Sequence, residues 1–293
     1  MISVDVAVVG TPFLDLTFER LPRVPEVSEE LLGTALHVGP GGAGMQAVAL
    51  ARLGMRVALV GPLGSDIGGG FLREVFQREG VDVVGEPQPG VTSTTALLST
   101  PEGVAMATVL GEGEPTLDHV RAAGPGAVVT SLGRLHLAPA GTALYVVTGP
   151  LEVDRIDHPS LGELAGARAF MATSSEAAAL AGAADPEDAA RRVAAFGTTS
   201  VVTLGADGAI AADDSSVVRA AAPDVETVDA TGAGDLFAAA YVWADLRGAN
   251  LADRLAWACL YAGLSVRTPT ALAGALYLDE LLREGRDRGL IPP

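Results

Sequence analysis

Four short apolar runs recur along this chain: "SVDVAVVG" (3–10), "RVALVG" (56–61), "TALYVVTG" (142–149) and "TSVVTLG" (199–205). Each is fully apolar or alternates with period two, as a buried or half-buried strand does. Between them lie Ala-rich helical stretches, "GMQAVALARLG" (44–54), "GGFLREVFQREG" (69–80), "SSEAAALAG" (174–182) and "PEDAARRVAAFG" (186–197). Several of these close on glycine, which ends a helix without steric cost. Strand alternating with helix predicts an α/β fold with a mostly parallel sheet and helices on both faces. From 232 onward the pattern is nearly all helix, over 232–247, 251–267 and 277–285. Two segments break the rhythm: 13–38 and about 92–110, the second with a Pro-Glu-Gly turn, read as short strands without a helix. They predict a small β-rich appendage inserted in one domain spanning 1–293, a length that suits a single α/β unit.

Charge narrows the partners. Nineteen basic against 36 acidic side chains leave a net charge of −17, a field that repels nucleic acid and anionic membrane surfaces. Any anionic ligand must then be held by local devices, such as helix N-termini, metal ions or a few arginines. Apolar residues make up 49% of the chain, enough for a sizeable core, yet no apolar stretch reaches the ~18 residues of a membrane span. The N-terminal run carries Asp5 and no basic flank, so it reads as a strand and not as a signal peptide. Cys259 is the single cysteine, and His37, His119, His136 and His158 lack metal-ligand spacing. These features predict a soluble cytoplasmic protein.

Two glycine-rich stretches carry candidate chemistry. "GPGGAG" (39–44) matches G-x-G-x-x-G, but the following strand, "RVALVG", ends in Gly61 and Pro62 with no acidic residue for a ribose. Close backbone packing, or backbone brought near a polar ligand such as a sugar, explains these glycines better than a dinucleotide. "DATGAGD" (229–235) precedes the apolar run "LFAAAYVWADL". Thr231 is a suitable N-cap, and the amides of Gly232, Ala233 and Gly234 would then be unpaired donors at a positive helix end. Asp235 in that turn has two readings: an acidic residue that suits the dipole, or a base facing a transferring phosphoryl group. The helix N-terminus is expected to lower its pKa.

The second motif with its helix resembles the C-terminal signature of the PfkB, or ribokinase-like, carbohydrate kinases, usually D-T-x-G-A-G-D. Residues 39–83 are similar to the N-terminal signature region of that family, "VVTLGADGAI" (201–210) to its nucleotide-side strand and turn, and "GTPFLDL" (10–16) to its first substrate-side aspartate. The resemblance implies a three-layer sandwich whose β-rich lid is built from 13–38 and 92–110. It implies an ATP- and Mg²⁺-dependent kinase acting on a hydroxyl of a small sugar. Asp235 would be the base and the Gly232, Ala233 and Gly234 amides the anion hole. Asp15, Gly41, Gly42 and Met45 would face the sugar, while Thr203, Gly205, Gly208, Thr231, Cys259 and Ala262 would lie along ATP. Glu176 would act on Mg²⁺ indirectly, and Asp229 with Thr231 matches positions that hold a monovalent cation such as K⁺ in some members.

Three departures from the family pattern follow. Met45 and then Gln46 stand nearest to the usual substrate asparagine. Thr173 replaces the asparagine of N-x-x-E, with Glu176 kept, and Gly149 stands where an aspartate is common. Met45 suggests an acceptor with an apolar face, such as a nucleoside; a sugar phosphate would need a cation, from Arg134 or Arg155. A catalytically silent relative that binds a nucleotide or metabolite is the reading from another class. Lid edge strands can pair between subunits, which makes a homodimer a further expectation.

Overall fold

The buried four-residue strands determine the architecture. In the computed structural model, which describes residues 3–149 and 161–293, the strands are β1 (Val6–Val9), β2 (Pro12–Glu19), β3 (Ala35–Gly42), β4 (Val57–Val60), β5 (Val81–Val84), β6 (Thr94–Thr100), β7 (Gly103–Val109), β8 (Ala127–Thr130), β9 (Ala143–Val147), β10 (Ala169–Thr173), β11 (Thr199–Thr203), β12 (Ala209–Ala212) and β13 (Val217–Ala220). The helices are α1 (Ala43–Arg52), α2 (Ile67–Arg78), α3 (Leu117–Ala123), α4 (Ser174–Ala181), α5 (Pro186–Ala194), α6 (Ala233–Leu246), α7 (Leu251–Ser265), α8 (Ala271–Gly274) and α9 (Leu278–Asp287). Nine strands form one sheet in the order β13-β12-β11-β10-β9-β8-β1-β4-β5. It is parallel from β5 to β11, and β12 and β13 return antiparallel.

Successive residues of each parallel strand serve opposite faces. Val6 and Val8 join the core beneath α1, α6 and α7, whereas Ala7 and Val9 join a second core against α3. Ala169 and Met171 likewise face the first core, and Phe170 and Ala172 a third one against α4 and α5. The result is the expected three-layer α/β sandwich. Strand order reverses at β1, whose neighbours β4 and β8 continue in opposite directions along the sheet. Crevices beyond the C-terminal strand ends at such a switch point are where open α/β sheets bind ligands.

The two segments that interrupt the rhythm form the second sheet, ordered β3-β2-β6-β7. β6 and β7 are the hairpin around the Pro-Glu-Gly turn, and β2 pairs parallel with β6 and antiparallel with β3. This lid is tied to the core by Asp66, the N-cap of α2. Its Oδ1 accepts from the Gly69 amide at 2.9 Å and from the Thr92 hydroxyl at 2.6 Å, just before β6. β5, β8, β10, β12, β13 and the short helix α3 have no counterpart in the sequence reading. Four or five apolar residues carry too little periodicity to announce a strand.

Helix α6 is apolar nearly all round because other elements surround it. Every residue of α6 from Leu236 to Asp245 is buried, and Trp243 meets Trp257 of α7 edge to face at 5.7 Å. Asp245 sits in the last turn of α6, where the helix dipole disfavours a negative charge. Its carboxylate, 1% exposed, accepts from Arg168 at 2.7 Å through both nitrogens, lies 2.8 Å from Arg254, and also accepts from the Tyr145 hydroxyl. Burial alone would raise its pKa, but these donors hold it below the ordinary carboxylate value. Asp245→Ala leaves those donors without their shared acceptor and should lower unfolding free energy by about 3 kcal/mol. Urea denaturation checks this, and a change under about 0.5 kcal/mol would contradict it.

Candidate active site

Beyond the ends of β1, β8 and β9, beneath the lid, lies a cavity of about 1350 Å³. Asp15, Gly41, Gly42, Met45, Asp229, Thr231, Gly232 and Asp235 all line it, together with Gln46, Arg134 and Thr148. The substrate-side and catalytic candidates, 187 to 220 positions apart in sequence, therefore meet. On β2 Asp15 lies opposite β3, and a Cβ added to Gly41 would overlap its carboxylate. Gly42 adopts φ 53° at the turn from β3 into α1, with Phe13 packed where a side chain would stand.

The turn into α6 differs in detail from the expectation. Its N-cap is Gly232, in the left-handed region at φ 76°, and the Thr231 side chain caps nothing. Instead, the Thr231 amide donates to Asp229 Oδ1 at 2.8 Å. The Ala233 amide is already bonded to the Ala230 carbonyl at 3.2 Å, so it is not available as an anion donor. The Gly232 and Gly234 amides have no acceptor among the described residues, which leaves two of the three expected donors. Ala233 and Gly234 lie beside the cavity lining and not in it.

Electrostatics reverse a second expectation. Burial pushes the Asp235 carboxyl up to about 6, although a hydrogen bond from Gln46 Nε2 to its Oδ1 at 2.8 Å pulls it down. Desolvation thus outweighs the Gln46 hydrogen bond. Asp15 is pushed up to about 7 by burial and then by the neighbouring Asp235 charge. At neutral pH the pair offers one ionised carboxylate beside one that is partly protonated, a basic group next to a hydrogen-bonding anchor. Met45 contributes less than expected: it is 1% exposed and turned into the core, while Gln46, one residue on, presents its polar group to the cavity.

The cationic side chains on this wall are engaged. Arg134 donates to Glu114 Oε2 at 3.0 and 2.7 Å and to Thr11 Oγ1 at 3.1 Å. Arg52 pairs with Glu79 at 2.6 Å and donates to the Leu272 and Ala275 carbonyls at 2.7 Å. Arg155 lies outside the described residues. Asp229 is 8% exposed, and its Oδ2 has no partner among the described residues. Ser131 Oγ and Thr148 Oγ1 are likewise buried without partners on cavity residues, and sequence patterns gave no sign of them.

The remaining candidates lie away from this cavity. Thr203 ends β11, and Gly205 (φ 62°) and Gly208 (φ 93°) make the turn into β12, Gly208 lying where a Cβ would overlap the Ala220 carbonyl. Ala262 is half-buried on α7. Cys259 is a core residue, 3% exposed, its thiol donating to the Ala220 carbonyl at 3.7 Å and pushed up to about 12 by burial. It sits on the apolar face of α7 and offers no surface to an adenine. Glu176 and Thr173 form a capping box at the start of α4: the Thr173 amide donates to Glu176 Oε2 at 2.8 Å, and the Glu176 amide to Thr173 Oγ1 at 3.3 Å. These two bonds give Glu176 a helix-capping role and make use of the threonine hydroxyl at 173.

A carboxyl whose folded pKa exceeds its unfolded one favours folding most below the unfolded value, and loses that contribution as pH rises through the folded value. For Asp15 the window runs from 3.8 to about 7. Asp15→Asn should therefore melt above wild type at pH 8, with the gap closing as pH falls through that window. A gap independent of pH would contradict the burial of this charge.

Comparison with known proteins agrees with this geometry. The family model for "pfkB family carbohydrate kinase" matches residues 5–119 and 152–275. The ribokinase of Bacillus subtilis (strain 168) is 29% identical over 285 residues, spanning 89% of this chain and 92% of that protein. The aminoimidazole riboside kinase of Salmonella typhimurium (strain LT2) is 26% identical over 283 residues, 83% of this chain and 86% of that one. Among solved structures, Arabidopsis thaliana ribokinase complexed with ribose and ATP superposes with a TM-score of 0.77 at 21% identity, covering 97% of this chain and 99% of its own. Fold, motif order and family match coincide: the chain belongs to the pfkB family of carbohydrate kinases and is a phosphotransferase with an alcohol group as acceptor.

Proposed function

We propose that this protein transfers the γ-phosphoryl group of ATP to a hydroxyl of a small, uncharged sugar or sugar-like acceptor. The observation that carries the reading is the convergence, in one cavity, of the Asp235 carboxylate, the Asp15 anchor and the turn bearing the free Gly232 amide. An acceptor hydroxyl bound beside Asp15 gives its proton to Asp235 as its oxygen bonds to the γ-phosphorus and the bond to ADP breaks. The Gly232 and Gly234 amides at the positive end of α6 donate to the phosphoryl oxygens. A loose transition state asks for little proton transfer before that bond has moved, so a base near 6 suffices at neutral pH.

ATP would lie along Thr203, Gly205, Gly208 and Ala262, and Thr231 at the turn into α6 would approach its phosphates. Magnesium supplies neutralisation of the phosphate charge when bound with ATP. Glu176 keeps only Oε1 for a magnesium-bound water, because Oε2 is committed to the helix cap. The unpartnered Asp229 Oδ2 fits a monovalent cation, since a buried carboxylate oxygen calls for a donor or a positive charge.

Charge supports an uncharged acceptor. Asp15, Asp229, Asp235 and Glu114 line the cavity, and its Arg52 and Arg134 are already paired. A sugar phosphate would meet net negative charge. Size supports a second reading within the same chemistry, a riboside. The cavity exceeds the ~300–1,000 Å³ usual for small ligands, and Leu36, Val38, Leu97 and Met106 give its lid side an apolar wall. The silent-relative reading fares worse, since Asp235 faces the cavity with Asp15 beside it, an arrangement that helix stabilisation alone does not call for.

The test is ATP-dependent phosphorylation of a panel of neutral sugars, ribosides and sugar phosphates. Asp235→Ala should cut turnover by at least ~10²-fold while ATP affinity stays nearly unchanged. Wild-type-like turnover would return Asp235 to a helix-stabilising role. Asp15→Ala should raise KM for the acceptor far more than for ATP, and equal effects would mean that Asp15 does not face the acceptor.

A further inference from the structure

The base does not stand alone. Gln46 projects from the first turn of α1 into the cavity, between the buried Met45 and Ala47. α1 packs against α6, and Gln46 Nε2 donates to Asp235 Oδ1 at 2.8 Å across 189 residues of sequence. Among the described residues no other side chain donates to Asp235. We propose that Gln46 is a positioning residue for phosphoryl transfer: by holding Oδ1 it fixes the carboxylate plane and leaves Oδ2 to take the proton of the acceptor hydroxyl. This rests on the reading of Asp235 as the base.

The choice of residue has a physical logic. A buried carboxylate with no donor favours its protonated form and is then a poor base at neutral pH. A cationic partner would correct this too far, making an ion pair of low proton affinity. A neutral amide donor lies between these limits. It favours the ionised form without adding charge, and its fixed geometry removes rotation of the carboxylate from the cost of reaching the transition state.

The other charged groups around the base do not do this. Asp15 on β2 works in the opposite direction, since its charge opposes a second one nearby. Asp229, ahead of α6, is turned to the Thr231 amide. On α1 itself Arg52 is taken by Glu79, on the far wall Arg134 is taken by Glu114, and His37 on β3 bonds Glu19. Gln46 is the group that offsets burial at Asp235.

Gln46→Met keeps the side-chain length and removes the donor; Gln46→Asn keeps the amide but shortens its reach. Two measurements decide the matter. In the free enzyme, ¹³C-carboxyl NMR titration of Asp235, assigned with Asp235→Asn, should show its pKa rise by about one unit in Gln46→Met. In steady state, with the best acceptor of the phosphorylation panel, the acid limb of kcat/KM should move up by the same amount. At pH 6.5 that shift should lower kcat about threefold, the loss shrinking at pH 8.5 and the acceptor's KM changing less. Gln46→Asn should restore part of kcat.

An unmoved Asp235 titration in folded Gln46→Met would overturn the proposal, as would a loss confined to the acceptor's KM. If Gln46→Met does not fold, Gln46→Leu, which also lacks the donor, carries the same titration, with an unmoved value again the refuting result. A turnover defect in Asp235→Ala together with an unshifted Gln46→Met profile would sink the positioning role alone. Wild-type-like turnover in Asp235→Ala would sink the base and the positioning role together.

Discussion

The carboxylate of Asp15 occupies the space in which any side chain at residue 41 would begin. That close approach lies inside the lid sheet, where β3 runs on into α1. It brings β2 against the end of β3, where Pro12 pairs with Gly42 and Phe13 with Gly41, and so places the start of α1 at the mouth of β1. Because α1 begins there, Gln46 reaches across to α6; because α6 is buried from Leu236 to Asp245, the turn that precedes this stretch is anchored at the cavity. The cavity is the space that remains between these fixed elements. Its polar groups are held by packing and by hydrogen bonds such as those from Gln46 to Asp235 and from the Thr231 amide to Asp229, which is what a preorganised site requires.

Burying acidic groups in a chain of net charge −17 is costly unless each has a compensating contact. The fold treats its buried carboxylates differently. Asp245 is surrounded by two guanidiniums and a phenol, and its task is to hold α6 and the sheet together. Asp66 and Glu176 are taken up by helix ends. Asp15, Asp229 and Asp235 alone line the cavity with incomplete compensation. At Asp15 and Asp235 burial raises proton affinity toward neutral pH.

Much of this could be read from the residues alone. Apolar runs spaced by Ala-rich helices specify a layered α/β fold, and the two segments without helical periodicity mark the lid. The glycine pair and Asp235 announce the site through local chemistry. What stayed hidden depends on distance in sequence or on short range in space. The Gln46–Asp235 bond and the Arg134–Glu114–Thr11 cluster join residues that no local pattern relates. β8 and β10 are too brief to show a period. Thr231 reads as an N-cap because its type is right, yet the Asp229 side chain takes its amide and passes the capping position to Gly232. Cys259 follows the family position but lies on a helix face that must be apolar to pack on β12 and β13.

The central claim is that an uncharged acceptor is bound between Asp15 and Asp235 and joined there by ATP. A ligand that binds the native state alone raises the melting temperature, so thermal shifts with neutral sugars, ribosides and sugar phosphates address it directly, each with and without a nonhydrolysable Mg·ATP analogue. A neutral polyhydroxy compound should stabilise the protein, more so with the analogue present, and should lose its effect in Asp15→Asn. Stabilisation by sugar phosphates alone, or a neutral ligand whose effect survives Asp15→Asn unchanged, would contradict the account.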